Sequence, residues 1–575
     1  MNFIERTINQ DVQQHLKTKA IPDWIGALLA RRVHSIKEAD ALINASLSSL
    51  SNPNDLPDMA QAIDLLTQAV NNNKHILCVV DYDTDGICSG AILQEGIRAL
   101  GGKVEILVTN RHEDGYGFSL GACNKVLAMT PLPDLLITAD LGSSDGIQVE
   151  RLQAQCLVQN HSITVIITDH HHISATTPPK TADAFINPHR TNTSHNYDHP
   201  ICGAMVAWNL VAALRSQLKP NYDVRQLLDL AAIATVGDMV TLSNPINRAV
   251  VKYGLLLINR LQRPAWQLLV EQLGKDTIVR EDTIGFQISP RINALSRMGD
   301  DGHTALTWLT TYDMHLAQQS WIIMNQNNDD RKDEQALCES LALEQAQEQL
   351  KNNQFIIVAY VPEANHGVVG LAAGRIAMNT GRPAIVFSNT DKGLLTGSAR
   401  SILGYDIRDL LERTQTLTEL ISKYGGHAAA AGLTLNTYTD LSPFIQAINQ
   451  IAKIDFAQKA PEPTIYHDGE LPIELTKLQG LAALNHISPF GQGFAQPCFM
   501  LVSPIHSARI MGKSGQHVKL SIEAHHTIIE AVWFNPTRMP NEGEIHRFIV
   551  SLGENNFRGK TSLQAMVLTS EHIIS

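Results

Sequence analysis

Between residues 73 and about 188, short apolar runs alternate with helical stretches, and this rhythm is the clearest organising signal in the chain. HILCVV, VEILV, LLIT, TVIITD and AFIN have the length and composition of buried strands, and SGAILQEGIRAL is the clearest helix between them. Such alternation predicts a parallel sheet with helices on both faces. Residues 1 to about 50 carry a helical pattern around WIGALLARR and end in the loop-like SLSSLSNPNDLPD. A helical region from 203 to about 239 precedes an irregular segment containing ISPRINALSRMGD. From 314 to 353 neither Gly nor Pro interrupts the helical spacing, which predicts one connecting helix of about 60 Å. QFIIVAY opens a second α/β unit that runs through RPAIVFS and the glycine-containing loop GLLTGSARS. It continues into KYGGHAAAAG, where Gly425 and Gly426 end one helix and His427 opens another. Beyond about 466, the alternating runs HVKLSIEA, IIEAVWF, RFIVSLG and SLQAMVL predict a small β-barrel such as an OB-fold. The expected fold class is α/β, with a helical lead-in at 1–50, a parallel-sheet domain at 51–312 and the connecting helix at 313–353. A second α/β domain at 354–455 and the barrel at 460–575 follow.

A chain of 575 residues exceeds what one hydrophobic core serves. No apolar run approaches the ~20 residues of a membrane span, and the polar start MNFIERTINQDVQQHLK lacks a secretory h-region, so the expectation is a cytoplasmic protein with no membrane partner. Seven cysteines without a CxxC pair argue against a zinc ribbon or disulfide framework and are read as reduced core residues. A net charge of −12 leaves little room for a diffuse basic footprint, so any nucleic-acid groove has to be locally positive.

The chemistry lies at the predicted strand ends. DYDTDG puts Asp81, Asp83 and Asp85 in the turn after HILCVV, where crowded carboxylates repel one another unless a divalent cation neutralises them. Asp140 follows LLIT, and Asp169, His170 and His171 follow the next strand. In open parallel sheets, the working residues sit beyond these carboxyl ends. A single Asp in a loop is ordinarily a turn or helix-cap residue, but three strand-end clusters in one sheet are hard to explain that way. Asp83, Asp85, Asp140, His170 and Asp238 make an oxygen-rich set suited to Mn²⁺ or Mg²⁺ and lacking the thiolates that select zinc. Two ions ~3.5 to 4 Å apart sharing one carboxylate would support in-line phosphoester hydrolysis.

DYDTDG, TADLGSS, TDHH and TVGDMV occur in an order and spacing that resembles the DHH phosphoesterase family. NRHEDGYG, INPHR, CGAMVAWNL, SPRINALSRMGD, HGVVGLAAGRIA, GSARSILGYDI, YGGHAAAAG, SPFGQGFAQP and GQHVKLSI are similar to its RecJ branch, the single-strand-specific 5′ exonucleases. The resemblance runs from about residue 56 to the C-terminus. It implies a DHH catalytic domain, a DHH-associated domain and an OB-fold. It also implies that Asp83 and Asp140 hold one metal while Asp85, Asp140, His170 and Asp238 hold the other, and that His171 contacts the scissile phosphate. Val79 stands where many DHH proteins have a histidine, so Asp81 is expected to help at the first position. Leu141, Ser296, Gly237 and Thr241 also depart from the usual pattern, and His172 is read as a surface residue. Arg111, Arg291, Ser398 and Arg400 match positions that hold a 5′-phosphate in this branch. Tyr116 is expected to stack on a base, with packing between its flanking glycines as the alternative, and the backbone N–H groups of Gly425-Gly426-His427 are expected to face the DNA backbone.

The implied function is 5′-to-3′ hydrolysis of single-stranded DNA to 5′-mononucleotides with two Mn²⁺ or Mg²⁺ ions, in recombination and repair. Implied partners are single-stranded DNA, a single-strand-binding protein and a RecQ-type helicase. Two competing readings are a DHH phosphodiesterase for short oligonucleotides or bisphosphorylated nucleosides, which would not need the barrel, and a non-catalytic single-strand-binding replication scaffold, which would be expected to have lost ligands.

Overall fold

Five parallel strands carry the acidic turns: β1 (His75–Val80), β2 (Lys103–Val108), β3 (Leu135–Ala139), β4 (Thr164–Thr168) and β5 (Ala184–Ile186). This computed structural model describes residues 2–190, 200–275, 277–390, 393–512, 515, 517–536, 538–557 and 560–573, so Gln516 of the GQHVKLSI segment lies outside the described residues. The sheet order is β2-β1-β3-β4-β5. Successive side chains of a strand point to opposite faces, and both faces are covered. Ile76, Cys78 and Val80 join the core formed with the helices Thr84–Ala99 and Gly203–Leu218. Leu77 and Val79 join Phe118, Leu141, Val149 and Ile167 on the opposite face. The register pairs Val80 with Ala139, Ala139 with Thr168 and Thr168 with Ile186, so the four strands stop at one level. Asp81, Asp140 and Asp169 therefore emerge side by side.

The chain forms two compact units, one of Glu5–Met324 with His467–Ser575 and one of Met1–Ile4 with Asn325–Tyr466. The expected connecting helix spans Met314–Lys351 and carries the chain from the first into the second. The irregular segment foreseen around ISPRINALSRMGD is instead helical: a π-turn at Ile284–Ile288 leads into the helix Ser289–Met298. Pro290 lies in the first turn of that helix, where its missing N–H removes no helical bond, so it does not act as a breaker.

The second unit has a five-stranded sheet of β6 (Ile357–Tyr360), β7 (Ala384–Asn389), β8 (Leu395–Arg400), β9 (Ile421–Gly426) and β10 (Ala430–Leu435), ordered β9-β10-β8-β7-β6. Two sequence expectations are corrected here. Ser398-Ala399-Arg400 lies on β8, between β7 and β10, not in a loop. A Cβ on Gly397 would come within 2.7 Å of the Phe387 ring, so this glycine serves sheet packing. Gly425-Gly426-His427 joins no helices; it closes a hairpin in which the Ala430 carbonyl accepts from the His427 N–H at 2.8 Å. The alanine run favours helix locally, but pairing of β10 along β8 overrides that preference.

Within the first unit, β11 (Phe499–Met511), β12 (His517–Ala524), β13 (Thr527–Phe534), β14 (Ile545–Phe557) and β15 (Lys560–His572) form a closed barrel, as expected. Its interior residues Leu520, Ile522 and Phe548 share one apolar core with Val12, Leu16 and Leu29 of the N-terminal helices and with Ala232, Leu242 and Val251 of the catalytic part. The lead-in is thus part of the barrel's packing. Arg248, fully buried, donates to the carbonyls of Leu242 (3.1 Å), Pro489 (3.0 Å) and Ile487 (2.5 Å). Arg32 clamps Asp468 through Nε (2.8 Å) and NH2 (2.5 Å). All seven cysteines are free and buried, as the sequence implied. Among the described residues, no helix is long and apolar enough to cross a membrane.

Candidate metal centre

Each acidic side chain at the strand ends is fixed by backbone around it. Asp83 caps the helix Thr84–Ala99, its Oδ1 accepting from the N–H groups of Asp85 (2.9 Å) and Gly86 (3.2 Å). Asp85 is buried, and its two oxygens accept from Gly203 N (2.6 Å) and Ala204 N (2.7 Å) at the start of the helix Gly203–Leu218. That N-terminus holds the carboxylate with aligned donors and its dipole. Asp81, also buried, accepts from Thr109 Oγ1 at 3.4 Å. Asp140 stands in left-handed backbone at φ 63° immediately after β3. Gly203 lies against it: a Cβ there would fall 2.8 Å from both Asp140 Cβ and Oδ1.

Three overlapping groups of ligand atoms result, the atoms of each lying within 4.8 Å of one another. They are Asp81, Asp83 and Asp140; Asp85, His170 and Asp238; and Asp140, His170 and His171. His170 Nε2 stands 3.1 Å from Asp140 Oδ1, 3.5 Å from Asp85 Oδ2 and 3.7 Å from Asp238 Oδ2. Asp140 Oδ1 and His170 Nε2 approach without hydrogen-bond angles, and both are buried with no hydrogen-bond partner among the described residues. Orphaned buried polar atoms carry a desolvation cost, and here two of them face the same small volume. A divalent cation fits this arrangement: hard oxygen donors dominate, one imidazole completes the set, and the orphaned atoms gain a partner.

The electrostatics agree. Burial, followed by the charges of Asp85, Asp83, Asp81 and Asp238, holds the Asp140 carboxyl well above its ordinary range. Burial and the Asp83 charge push Asp81 up to about 8, and burial with the Asp85 and Asp83 charges does the same to Asp238. Burial also raises Asp85, against the pull of His170, and lowers His170. Without cations these carboxyls resist ionisation together.

Asp169 has a role the sequence did not disclose. Its Oδ1 accepts from His171 Nδ1 at 2.8 Å and from the N–H groups of His170 (2.7 Å) and His171 (3.1 Å), while Oδ2 accepts from Ser143 N at 2.9 Å. Burial opposes a charge on His171, but the Asp169 hydrogen bond and the nearby carboxylates win and raise its imidazolium to about 9. Asn187 adds a bond from Nδ2 to the His171 carbonyl at 2.9 Å. The only sequence signal for Asp169 was its place before the two histidines.

Val79, at the position of the family histidine, is wholly buried and packs in the cluster that holds Leu141, another departure from the pattern. One apolar cluster thus absorbs both changes. His172 is exposed and stacks on His189 with ring centroids 4.8 Å apart.

The remaining site residues fall in both units. Arg111 lies over the Tyr82 ring at 4.8 Å. Tyr116, 66% exposed, stands edge-on to His171 at 6.1 Å. Arg291 is buried in the helix Ser289–Met298, donates to the Gln287 carbonyl (2.7 Å) and Oε1 (3.0 Å), and covers Trp321 at 5.1 Å. In the other unit, Arg400 NH1 donates to Ser398 Oγ at 3.0 Å and to the Ala399 carbonyl at 2.8 Å. Gly370 makes room for both side chains, since a Cβ there would fall 2.7 Å from Arg400 NH2 and 2.8 Å from Ser398 Oγ. His427 is exposed at its hairpin turn.

Comparison with known proteins agrees with this architecture. Residues 75–235 match the DHH family N-terminal domain, 353–454 the DHHA1 domain and 467–569 the RecJ OB domain. The single-stranded-DNA-specific exonuclease RecJ of Haemophilus influenzae is 31% identical over 562 residues, covering 94% of this chain and 94% of its own. The protein of the same name from Escherichia coli is 31% identical over 95% of each chain. The crystal structure of RecJ in complex with Mn²⁺ from Thermus thermophilus shares the fold, with a TM-score of 0.79 at 24% identity over 100% of this chain and 80% of that one. With its three domains matched in order and this identity sustained over nearly its full length, the chain belongs to the RecJ family of DHH proteins.

Proposed function

We propose that this chain is a metal-dependent exonuclease that degrades single-stranded DNA from its 5′ end to 5′-mononucleotides, acting in DNA recombination and repair. The observation that carries the reading is the convergence of carboxylates and imidazole on Asp140 Oδ1 and His170 Nε2, two buried atoms without a hydrogen-bond partner among the described residues. Asp83 and Asp140, with Asp81 beside them, would hold one Mn²⁺ or Mg²⁺ ion, and Asp85, Asp140, His170 and Asp238 would hold the second. Such ions would supply Lewis-acid chemistry, offsetting the carboxylate charge and activating water for phosphodiester hydrolysis.

The protein's own groups supply orientation. The Gly203 and Ala204 amides fix Asp85, so its oxygens need no rearrangement during the reaction. Asp169 fixes His171 through Nδ1, which leaves the protonated Nε2 edge to donate to a phosphate oxygen. Tyr116, exposed beside His171, offers a ring to the terminal base. Arg111 and Arg291 in one unit, and separately Ser398, Arg400 and His427 in the other, are phosphate-binding groups for the strand. The barrel holds the single strand by contacts that tolerate any sequence.

The family matches support dividing the chain into the domains 51–312, 354–455 and 460–575, with the 1–50 lead-in and the 313–353 helix completing it. A cytoplasmic location and work beside a single-strand-binding protein and a RecQ-type helicase suit an enzyme that needs exposed single strands.

The test uses a long 5′-phosphorylated single strand labelled at its 3′ end, and the same strand as blunt duplex, with Mn²⁺, Mg²⁺ or chelator. Metal-dependent shortening of the single strand alone, the label remaining on progressively shorter fragments, is expected. Early release of labelled mononucleotide would reverse the polarity, and binding without cleavage would leave a scaffold.

A further inference from the structure

A second cluster of metal-ligating side chains lies far along the chain from the acidic turns. Glu544 immediately precedes β14, His546 is the second residue of that strand, and His572 ends β15. His546 and His572 are directly paired across the antiparallel ladder, with ring centroids 5.1 Å apart. Glu544 precedes His546 by two residues, the spacing that returns a strand to the same face. One ligand atom from each of the three lies within 4.8 Å of the others.

The details favour a cation over a simple ion pair. His546 Nε2 stands 3.1 Å from Glu544 Oε2. Two ligands of a tetrahedral zinc, each ~2.0 to 2.1 Å from the metal, lie about 3.3 Å apart, so this edge is already in place. His546 Nδ1 is 3.0 Å from Ser570 Oγ, the outer hydrogen bond that turns Nε2 toward a metal, and its ring stacks on Phe548 at 5.4 Å. Asn541 Nδ2 (2.7 Å) and Arg538 engage Glu544 Oε1, while Oε2, which also accepts from the Asn541 N–H at 3.2 Å, faces His546. His572 is exposed and can swing to close the remaining distance.

We propose that Glu544, His546 and His572 form a binding site for a borderline transition metal, Zn²⁺ foremost, distinct from the Mn²⁺ or Mg²⁺ centre and independent of the exonuclease reading. Two imidazoles and one carboxylate favour zinc over the hard ions suited to the aspartate cluster, and water completes the tetrahedron. The ion would pin the last barrel strand to its neighbour.

The test dialyses the full-length protein, His572→Ala, Glu544→Gln and His572→Cys against a slight excess of Zn²⁺ and counts retained zinc per chain. Zinc taken up elsewhere is common to all four and cancels in the differences. The expected result is one fewer zinc in His572→Ala and in Glu544→Gln, recovery in His572→Cys because a thiolate replaces the lost ligand, and Mn²⁺-dependent cleavage unchanged in His572→Ala. Circular dichroism confirms that each variant is folded; His572 is a surface side chain, so its loss should leave the barrel intact. Equal zinc content in the unsubstituted protein and both ligand-loss variants would overturn the proposal, leaving an ordinary hydrogen-bonded histidine pair.

Discussion

Asp140 combines a left-handed backbone at φ 63° with a buried oxygen that has no hydrogen-bond partner among the described residues. Asn accepts this backbone as Asp does, whereas Ala adds strain of about 1 kcal/mol. Asp140→Asn should therefore lower metal-dependent cleavage at least ~100-fold, the scale of losing one preorganised electrostatic group. The same variant should melt higher than the unsubstituted protein in chelator, because a repelled carboxyl is gone. Differential scanning fluorimetry and a cleavage assay check the two halves, and a lower melting temperature would contradict the repulsion.

The raised carboxyls at 81 and 238 also give a pH signature. Their folded pKa values, about 8, exceed the ordinary 3.8, so their contribution to metal-free stability is complete below about pH 4 and is lost as pH rises through about 8. The melting temperature in chelator should fall across that window, and saturating Mn²⁺ should remove the trend. A flat profile in chelator would mean that the carboxylates do not crowd one another.

Among strands and helices, the acidic turns depend on neighbours distant in sequence. Gly203 opens the helix whose amides hold Asp85, and it leaves no room for a side chain beside Asp140. Gly203→Ala should weaken Mn²⁺ binding at least tenfold while changing unfolding far less, which calorimetric titration and thermal melts would separate; unchanged binding would show that Asp140 has freedom to move. The parallel strands were readable from the sequence because burial on both faces makes them near-continuous apolar runs ending in charge. The residues proposed as ligands stood out for the same reason, since Asp81, Asp140 and His170 directly follow those runs or stand one residue beyond. The role of Asp169 was not, because it depends on a side chain turned back to His171. The amides on Asp85 were not either, since they come from residues 203 and 204. Around residue 428, alanine propensity pointed to helix and lost to pairing with β8, a partner that no local window contains. The segment ISPRINALSRMGD, expected to be irregular, is helical with Pro290 harmless in the first turn.

On the largest scale, the parallel-sheet domain, the N-terminal helices and the barrel share one unit, in which helices of that domain join the other two in one apolar core with polar clamps beside it. Arg248 is the deepest of these, its guanidinium lying over Phe494 at 4.7 Å and donating through its two terminal nitrogens to backbone carbonyls. Arg248→Met would leave buried carbonyls without a donor and should cost about 3 kcal/mol or more. Urea unfolding followed by barrel and catalytic-sheet signals should show both shifting together; a shift in the barrel alone would mean that the two parts unfold separately. The same arginine bears on how such a chain can change over generations. A gene rearrangement joining this catalytic region to the barrel of a distant relative would have to bring a loop offering carbonyls at the places of Ile487 and Pro489, or leave a buried cation stranded. Inheritance should therefore favour exchange of the two regions as a single block, with barrel loops and the Arg248 helix changing in concert.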